Sequence, residues 1–545
     1  MNQAVFQFAR PMKRLFLGLL ALIYVQSLWA QQSPIGKPPK NWHHQDYTTD
    51  GFRGISTDKA YEILKDRTPR KIIVAVIDSG VDWEHEDLKD VIWINQKEIE
   101  NNGMDDDGNG FIDDFRGWNF LGSPDGHNIS KETLEVTREF RRLNELYGNK
   151  TVLDLNANQR DEFFYYERVR DQFYSERQKF LEQYNQIKQI YERFTAAEDT
   201  IKKAFGLTSI NPQGLEALDM DGNLELIQAR NFLVLLDRNG ISGAELSEAY
   251  EQYDTYVNYG YNVDFDPRGL VENNYYNFDN RFYGNPDTKG PDSKHGTHVA
   301  GIIAAKRGNG IGTDGVADNV EIMIIRAVPD GDEYDKDVAN AIRYAVDNGA
   351  HIINMSFGKS LSPQKFLVDD AVRYAQKKGV LLIHAAGNDG VNLDSTENYP
   401  TAQYTHTRKT FNNWIEVGAS SHGGPDNFVA SFSNYGKRRV HVFAPGNNIY
   451  APTPENQYDY LSGTSMAAPV VSGIAALLMS YYPKMKTRDV IRVIMDSSVK
   501  FKGTMVKRPG AEDDEPYIDF AELSMTGGIV NAYEAVKMAQ RKYGK

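Results

Sequence analysis

Residues 71–77 read Lys-Ile-Ile-Val-Ala-Val-Ile, a run without polar alternation after its first residue. A strand with one wet face alternates apolar and polar side chains, so a continuous β-branched run demands apolar cover on both faces, the setting of a central strand in a parallel sheet. Similar short runs recur at residues 320–325, 351–355, 380–383, 414–417 and 440–443, with stretches of helical period between several of them, at 335–348 and 364–378. Parallel neighbours need a crossover connection. The alternation therefore predicts an α/β fold, a doubly wound, mostly parallel sheet with helices on both faces.

The α/β pattern is split. Residues 70–126 and 286–545 carry it, and residues 127–285 do not. Between Asp161 and Phe205 the chain is dense in Phe and Tyr, and Tyr166, Phe173, Phe180, Ile187, Phe194 and Ile201 recur every seventh residue, which marks one face of a long helix stopped by Gly206. Further helices are predicted over 224–236 and 244–256, the latter opened by a capping box of Ser242 and Glu245. Charged partner positions (Arg170, Arg177, Glu198) interrupt the heptads, so the expectation is an antiparallel helical hairpin inserted into the α/β unit.

Ahead of the first strand, Arg10, Lys13 and Arg14 precede an apolar stretch at 15–25 that is short for a membrane span and ends in Ser27-Leu28-Trp29-Ala30. Residues 1–30 read as a signal peptide, which implies a periplasmic or secreted protein, and no later segment reads as apolar enough to cross a membrane. The polar, proline-bearing residues 31–69 read as an extended arm. With no cysteine in the chain, a disulfide scaffold, thiol catalysis and thiolate zinc sites are excluded. A formal charge of −14 disfavours nucleic acid, whose phosphates call for clustered Lys and Arg.

Three motifs carry chemistry. The first strand runs into Asp78-Ser79-Gly80; a strand's carboxyl end is where α/β sheets put their sites, and with no second Asp-Ser-Gly or Asp-Thr-Gly there is no aspartic dyad. His295-Gly-Thr-His298 opens a helix of small residues. Zinc at His295 and His298 would place both on one helical face, but the glutamate of a His-Glu-x-x-His helix is absent, and His298 reads as structural. Gly463-Thr-Ser465-Met-Ala-Ala-Pro469 begins an apolar helix; a serine there is ordinarily an N-cap, yet the small neighbours leave room for a carbonyl.

Together with Ala385-Ala386-Gly387-Asn388, Asn354-Met-Ser-Phe-Gly358, Phe432-Ser-Asn-Tyr-Gly436 and Phe443-Ala-Pro-Gly446, these motifs resemble those of the subtilisin-like serine proteases, in the Asp, His, Ser order of that family. The resemblance implies an exported serine endopeptidase acting on proteins or peptides. Ser465 would be the nucleophile, His295 its base, Asp78 the partner of the imidazole's other nitrogen, and Asn388 with the Ser465 N–H the oxyanion donors. It also implies that Ser356, Phe357, Gly358 and Ala385, Ala386, Gly387 wall the primary substrate pocket. Two departures stand out: Asp78 and His295 are 217 residues apart, where the family has a few tens, and only about 40 residues separate Ala30 from Lys71, too few for an inhibitory propeptide domain with its own core. The resemblance leaves 127–285 unexplained; a lid that restricts access to the substrate groove is the expectation, with docking of a partner or substrate, or replacement of the missing propeptide, as the alternatives.

Asp105-x-Asp107-x-Asn109-Gly110-Phe111-x-Asp113 places oxygen ligands at alternate positions about a glycine turn, with the backbone of Phe111 among them, as calcium loops do. The place of the usual closing glutamate falls on Arg116, so Asp114 or a distant group must complete the shell. Asp87 and Asn309 match ligand positions of the family's usual calcium site.

Overall fold

The apolar runs form strands: β1 (Ile72–Asp78), β2 (Gly117–Asn119), β3 (Val320–Arg326), β4 (Ile352–Met355), β5 (Leu381–Ala385), β6 (Trp414–Ser420) and β7 (Val442–Pro445). In this computed structural model, which describes residues 37–544 apart from 273, 406, 408 and 513, they pair in parallel in the order β7-β6-β5-β4-β1-β3-β2. A hairpin of β8 (Ile449–Thr453) and β9 (Gln457–Leu461) stands outside the sheet. Later in the chain come β10 (Val499–Lys500), a second hairpin of β11 (Met505–Val506) and β12 (Ile518–Asp519), and β13 (Gly528–Ile529). β13 extends the sheet beyond β7 in parallel, and β10 closes that edge antiparallel to it.

Strand period two sorts the core into two layers. Ile72, Val74 and Val76 of β1 face one apolar cluster with Ile322, Ile324 and Ile383, while Ala75 and Ile77 face another with Met323, Ile325 and Leu382. Five helices cover the first face: α1 (Thr57–Leu64), α6 (Lys294–Ala304), α9 (Thr464–Tyr481), α10 (Thr487–Ser497) and α11 (Ala532–Tyr543). α7 (Asp335–Asp347) and α8 (Lys365–Lys378) cover the second. By length and composition α9 could cross a bilayer, contrary to the expectation that no later segment could; 94% of it is buried inside the unit, which is why it is apolar all round.

The leader, residues 1–30, lies outside the described residues. Residues 37–69 are not an extended arm. They hold a 3₁₀ turn at Trp42–His44, a helical turn at Tyr47–Asp50 and α1, and Trp42, Ile55, Ala60 and Leu64 sit in the main core with at most 1% exposure. The prolines at its start, read as extended backbone, precede a segment whose apolar residues are spent on the sheet.

By contacts the described residues form two units, 136–265 and, in two pieces, 37–135 with 266–544, so the inserted unit is narrower than 127–285. It contains α2 (Glu135–Tyr147), the 49-residue α3 (Ala157–Phe205), α4 (Leu224–Arg238) and α5 (Gly243–Thr255). Gly206 ends α3 in the left-handed conformation (φ 65°), and the Ser242–Glu245 capping box is present. α3 does not fold back as a hairpin: its aromatic stripe is shared, Phe173 stacking on Phe140 of α2 at 4.3 Å, Tyr191 on Tyr250 of α5 at 4.5 Å, and Ile187 and Ile201 meeting Phe232 and Leu236 of α4.

Candidate active site

β1, β4 and β5 are neighbours and run in parallel, so the residues just past their carboxyl ends share one sheet edge. Those residues are Asp78 closing β1, Ser356 after β4, and Ala386-Gly387-Asn388 after β5. α6 brings His295 to the same edge in its first turn, with Nδ1 2.7 Å from Asp78 Oδ1. A Cβ at Gly296 would fall 2.1 Å from the Gly80 carbonyl and 3.1 Å from Asp78 Cβ, so this close approach of helix to strand end requires glycine.

Asp78 is 1% exposed; Oδ1 also accepts the Ser79 N–H at 2.8 Å, and Oδ2 is buried without a donor among the described residues. Burial by itself opposes charge on His295, but the Asp78 carboxylate, through its field and its hydrogen bond, outweighs it and holds the imidazole above its ordinary range. Behind this pair stands Arg326, in register with Asp78 and 2% exposed, donating Nε–H to the Ser79 carbonyl at 2.9 Å and Nη1–H to Asn119 Oδ1 at 3.1 Å. Burial pulls its guanidinium down to about 10. Sequence reasoning passed it over; its signal is an arginine closing the apolar run 322–325.

His298 stands apart from this edge. It is fully buried, donates to the Asp459 carbonyl at 3.2 Å, and is pushed down to about 3 by burial.

Ser465 lies in the first turn of α9. Pro469 follows four residues later and has no N–H for the Ser465 carbonyl. That carbonyl instead accepts Ser356 Oγ–H at 2.9 Å, while Ser465 Oγ donates to the Ser356 carbonyl at 3.0 Å. Among the described residues Ser465 makes no hydrogen bond to His295. Asn388 is oriented by its oxygen, Oδ1 accepting Thr464 N–H at 2.8 Å and Thr464 Oγ–H at 2.9 Å, which turns Nδ2 outward. A Cβ built on Gly463 would stand 3.5 Å from Ser465 N and 3.6 Å from Asn388 Nδ2, so both nitrogens border one space.

Ser356-Phe357-Gly358 and Ala385-Ala386-Gly387 leave adjacent strands beside Ser465. The Phe357 carbonyl accepts His384 Nε2–H at 2.9 Å. His384, 0% exposed, pairs through Nδ1 with Glu416 at 2.8 Å, and Glu416 accepts Trp414 Nε1–H at 2.8 Å. Sequence reasoning missed this support, whose signal was a histidine inside the apolar run at 380–384.

In the acidic loop, the side chains of Glu98, Asp105 and Asp107 bring carboxylate oxygens within 4.8 Å of one another, the one such group among the described residues. Glu98 is 5% exposed; its Oε1 accepts Asp106 and Asp107 N–H, and its Oε2 is buried without a donor. Burial raises this carboxyl. Asp113 is engaged elsewhere, accepting Asn102 and Gly103 N–H at 2.9 Å each, and Asn109 Oδ1 accepts Phe111 N–H at 2.8 Å. Asp114 takes hydrogen bonds from Tyr344, Asn109 and Asn95. Glu98, which no spacing rule pointed to, is the residue that joins Asp105 and Asp107. Asn309 Nδ2 donates directly to Asp87 Oδ1 at 2.6 Å, so these two satisfy each other.

A sequence profile described as the Subtilase family matches residues 69–517. The chain belongs to the subtilase family. Similar proteins include the thermophilic serine proteinase of Bacillus sp. (strain AK1), 43% identical over 189 residues, which are 34% of this chain and 43% of that one. Subtilisin-like protease 1 of Plasmodium falciparum (isolate 3D7) is 35% identical over 250 residues, covering 43% and 35%. Thermitase of Thermoactinomyces vulgaris is 39% identical over 200 residues, covering 36% and 66%. The chain thus spans less than half the length of the first two relatives. The insertion between Asp78 and His295 is a departure this subtilase accommodates by leaving the sheet after β2 and returning before α6.

Proposed function

We propose that this subtilase is an exported serine endopeptidase. The observation that carries the reading is the 2.7 Å bond between Asp78 and His295 at the sheet edge where Ser465 begins α9. In the reaction, Ser465 Oγ turns from the Ser356 carbonyl toward His295 Nε2 and attacks the peptide carbonyl carbon as its proton passes to Nε2. Asp78 keeps the Nδ1 proton in place and stabilises the imidazolium. The oxyanion is met by Asn388 Nδ2–H and Ser465 N–H in the space beside Gly463. The imidazolium then gives its proton to the leaving amine. Water, deprotonated by the same nitrogen, releases the acyl group and restores Ser465.

Two wall segments beside the nucleophile suit an extended peptide. Glu98, Asp105 and Asp107 fit a calcium ion: three convergent carboxylates, one with an orphaned buried oxygen, form the hard donor set it takes. Bound there, it would tie the loop together and take no part in the reaction. The reading of residues 1–30 supports a periplasmic or secreted location. The inserted unit, which exposes Tyr174 and Phe164, is proposed to meet a substrate or partner protein.

The test is labelling of the purified protein with a fluorophosphonate, together with casein hydrolysis. Both are expected for the wild type and absent for Ser465→Ala, and Asn388→Leu is expected to lower kcat by about 10²–10³. An unlabelled, inactive wild type, or full turnover by Ser465→Ala, would sink the reading.

A further inference from the structure

Arg326, at the end of β3, holds three chain segments with one guanidinium. Nε–H is donated to the Ser79 carbonyl, Nη1–H to Asn119 Oδ1 and Nη2–H to the Ile129 carbonyl. Asn119, which ends β2, in turn grips Asn285: each backbone N–H donates to the other's carbonyl at 3.0 Å, and Asn119 Nδ2–H donates to Asn285 Oδ1 at 2.8 Å. Asn119 and Ile129 lie on the chain that leaves the sheet, and Asn285 on the chain that returns to α6. One cation therefore joins the turn after Asp78 to both ends of the long connection toward His295.

The Ser79 peptide groups carry that grip to the site. The Ser79 N–H donates to Asp78 Oδ1, the oxygen that faces His295, and the Ser79 carbonyl is the one Arg326 holds. The Asp78 backbone carbonyl accepts the Ala327 and Val328 N–H groups at 3.0 and 3.2 Å, directly after Arg326. The Gly80 carbonyl abuts Gly296, the neighbour of His295. With its N–H and its carbonyl both bound, Ser79 is fixed between the carboxylate and the helix that carries the imidazole.

A residue kept only to fill this space would not be charged. Arg326 is buried, and among the described residues no carboxylate is hydrogen-bonded to it; Asp287 and Asp292 act on it through their fields alone. A buried cation without a bonded counter-ion costs stability that an apolar residue continuing the run 322–325 would not. Gly290 makes room for it, since a Cβ there would fall 2.3 Å from Nε. A lysine is no substitute, because one ammonium cannot reach three oxygens that a planar fork spans.

We propose that Arg326 is a positioning residue for the reaction: through the Ser79 peptide groups it keeps the Asp78 carboxylate on His295, although 217 residues separate the two. It acts through Asp78 and not on the substrate. This rests on the protease reading.

The experiment compares wild type, Arg326→Met and Arg326→Lys on a short peptide p-nitroanilide, with kcat counted per site titrated by fluorophosphonate and the acid midpoint read from kcat/KM. The groups facing His295 are Asp78, Asp292 in the loop ahead of α6, and His298 on its own helix. Arg326→Met is expected to lower kcat by about tenfold or more with KM nearly unchanged. It is also expected to move the midpoint down, because a slackened Asp78 leaves burial to oppose charge on His295. If Arg326 were only a charge, its removal would move the midpoint up; if it were only a structural contact, melting would fall while kcat per titrated site and midpoint stayed in place. Either result overturns the proposal, as does an Arg326→Lys enzyme with wild-type kcat. Where Arg326→Met does not fold, Gly290→Ala decides: its methyl displaces the guanidinium and is expected to lower kcat and the midpoint in the same way, and unchanged values overturn the proposal. A wild type that neither labels nor cleaves overturns the protease reading and this one with it, an outcome distinct from an active enzyme indifferent to residue 326.

Discussion

Asp78 gives His295 one carboxylate oxygen and keeps the other dry: Oδ1 lies 2.7 Å from Nδ1, and Oδ2 is buried with no donor among the described residues. A carboxylate so poorly solvated spends its field on the imidazole.

In the proposed reaction that field sets the acid limb. There His295 has to be neutral to take the Ser465 proton, and Asp78 raises its proton affinity above the ordinary 6.5. Activity is therefore expected to fall as pH drops through a midpoint above 6.5, read from kcat/KM on a small anilide. In Asp78→Asn, burial is left to dominate, so the midpoint should move down while kcat drops by about 10⁴. An unmoved midpoint in that variant would assign the limb to another group.

Removal of the proposed calcium should act on stability. A cation bound by the folded loop alone stabilises by mass action, about 2.7 kcal/mol at a hundredfold excess over its Kd. Chelation is expected to lower the melting temperature. Glu98→Gln keeps an oxygen to accept the Asp106 and Asp107 N–H groups but loses the charge, so its melting should respond little to chelator. Scanning calorimetry with and without chelator checks both.

Acid should unfold the sheet unit through three histidines buried neutral. Burial holds His43 well below 6.5, with both ring nitrogens unpartnered; it pushes His44 to about 4 and His298 to about 3. The unfolded chain binds their protons near 6.5 and the native one does not. Their contribution is thus full above 6.5 and falls with pH below it, each histidine costing about 1.4 kcal/mol per pH unit until its native value is reached. His43→Leu is expected to remove its own share of the loss between pH 6.5 and 4.5, measured by urea titration at each pH.

The sequence by itself determined the sheet. Val74-Ala-Val-Ile77 must be covered on both faces whatever lies elsewhere, and that requirement fixed strand, layer and fold class together. It also determined the chemistry-bearing motifs, because Asp78, His295 and Ser465 sit at element ends whose local sequence positions them: a strand's last residue and two helices' first turns. What only the tertiary structure decided are contacts between segments with no common period. Glu98 joins Asp105 and Asp107 through a loop without regular repeat, and Arg326 reaches Ser79 because β3 lies beside β1. Residues 31–69 read as a polar arm, since their few apolar side chains show no pattern until the sheet is there to receive Trp42 and Leu64. Local periodicity can specify an element and its buried face, but which side chain fills the space between two elements depends on their packing.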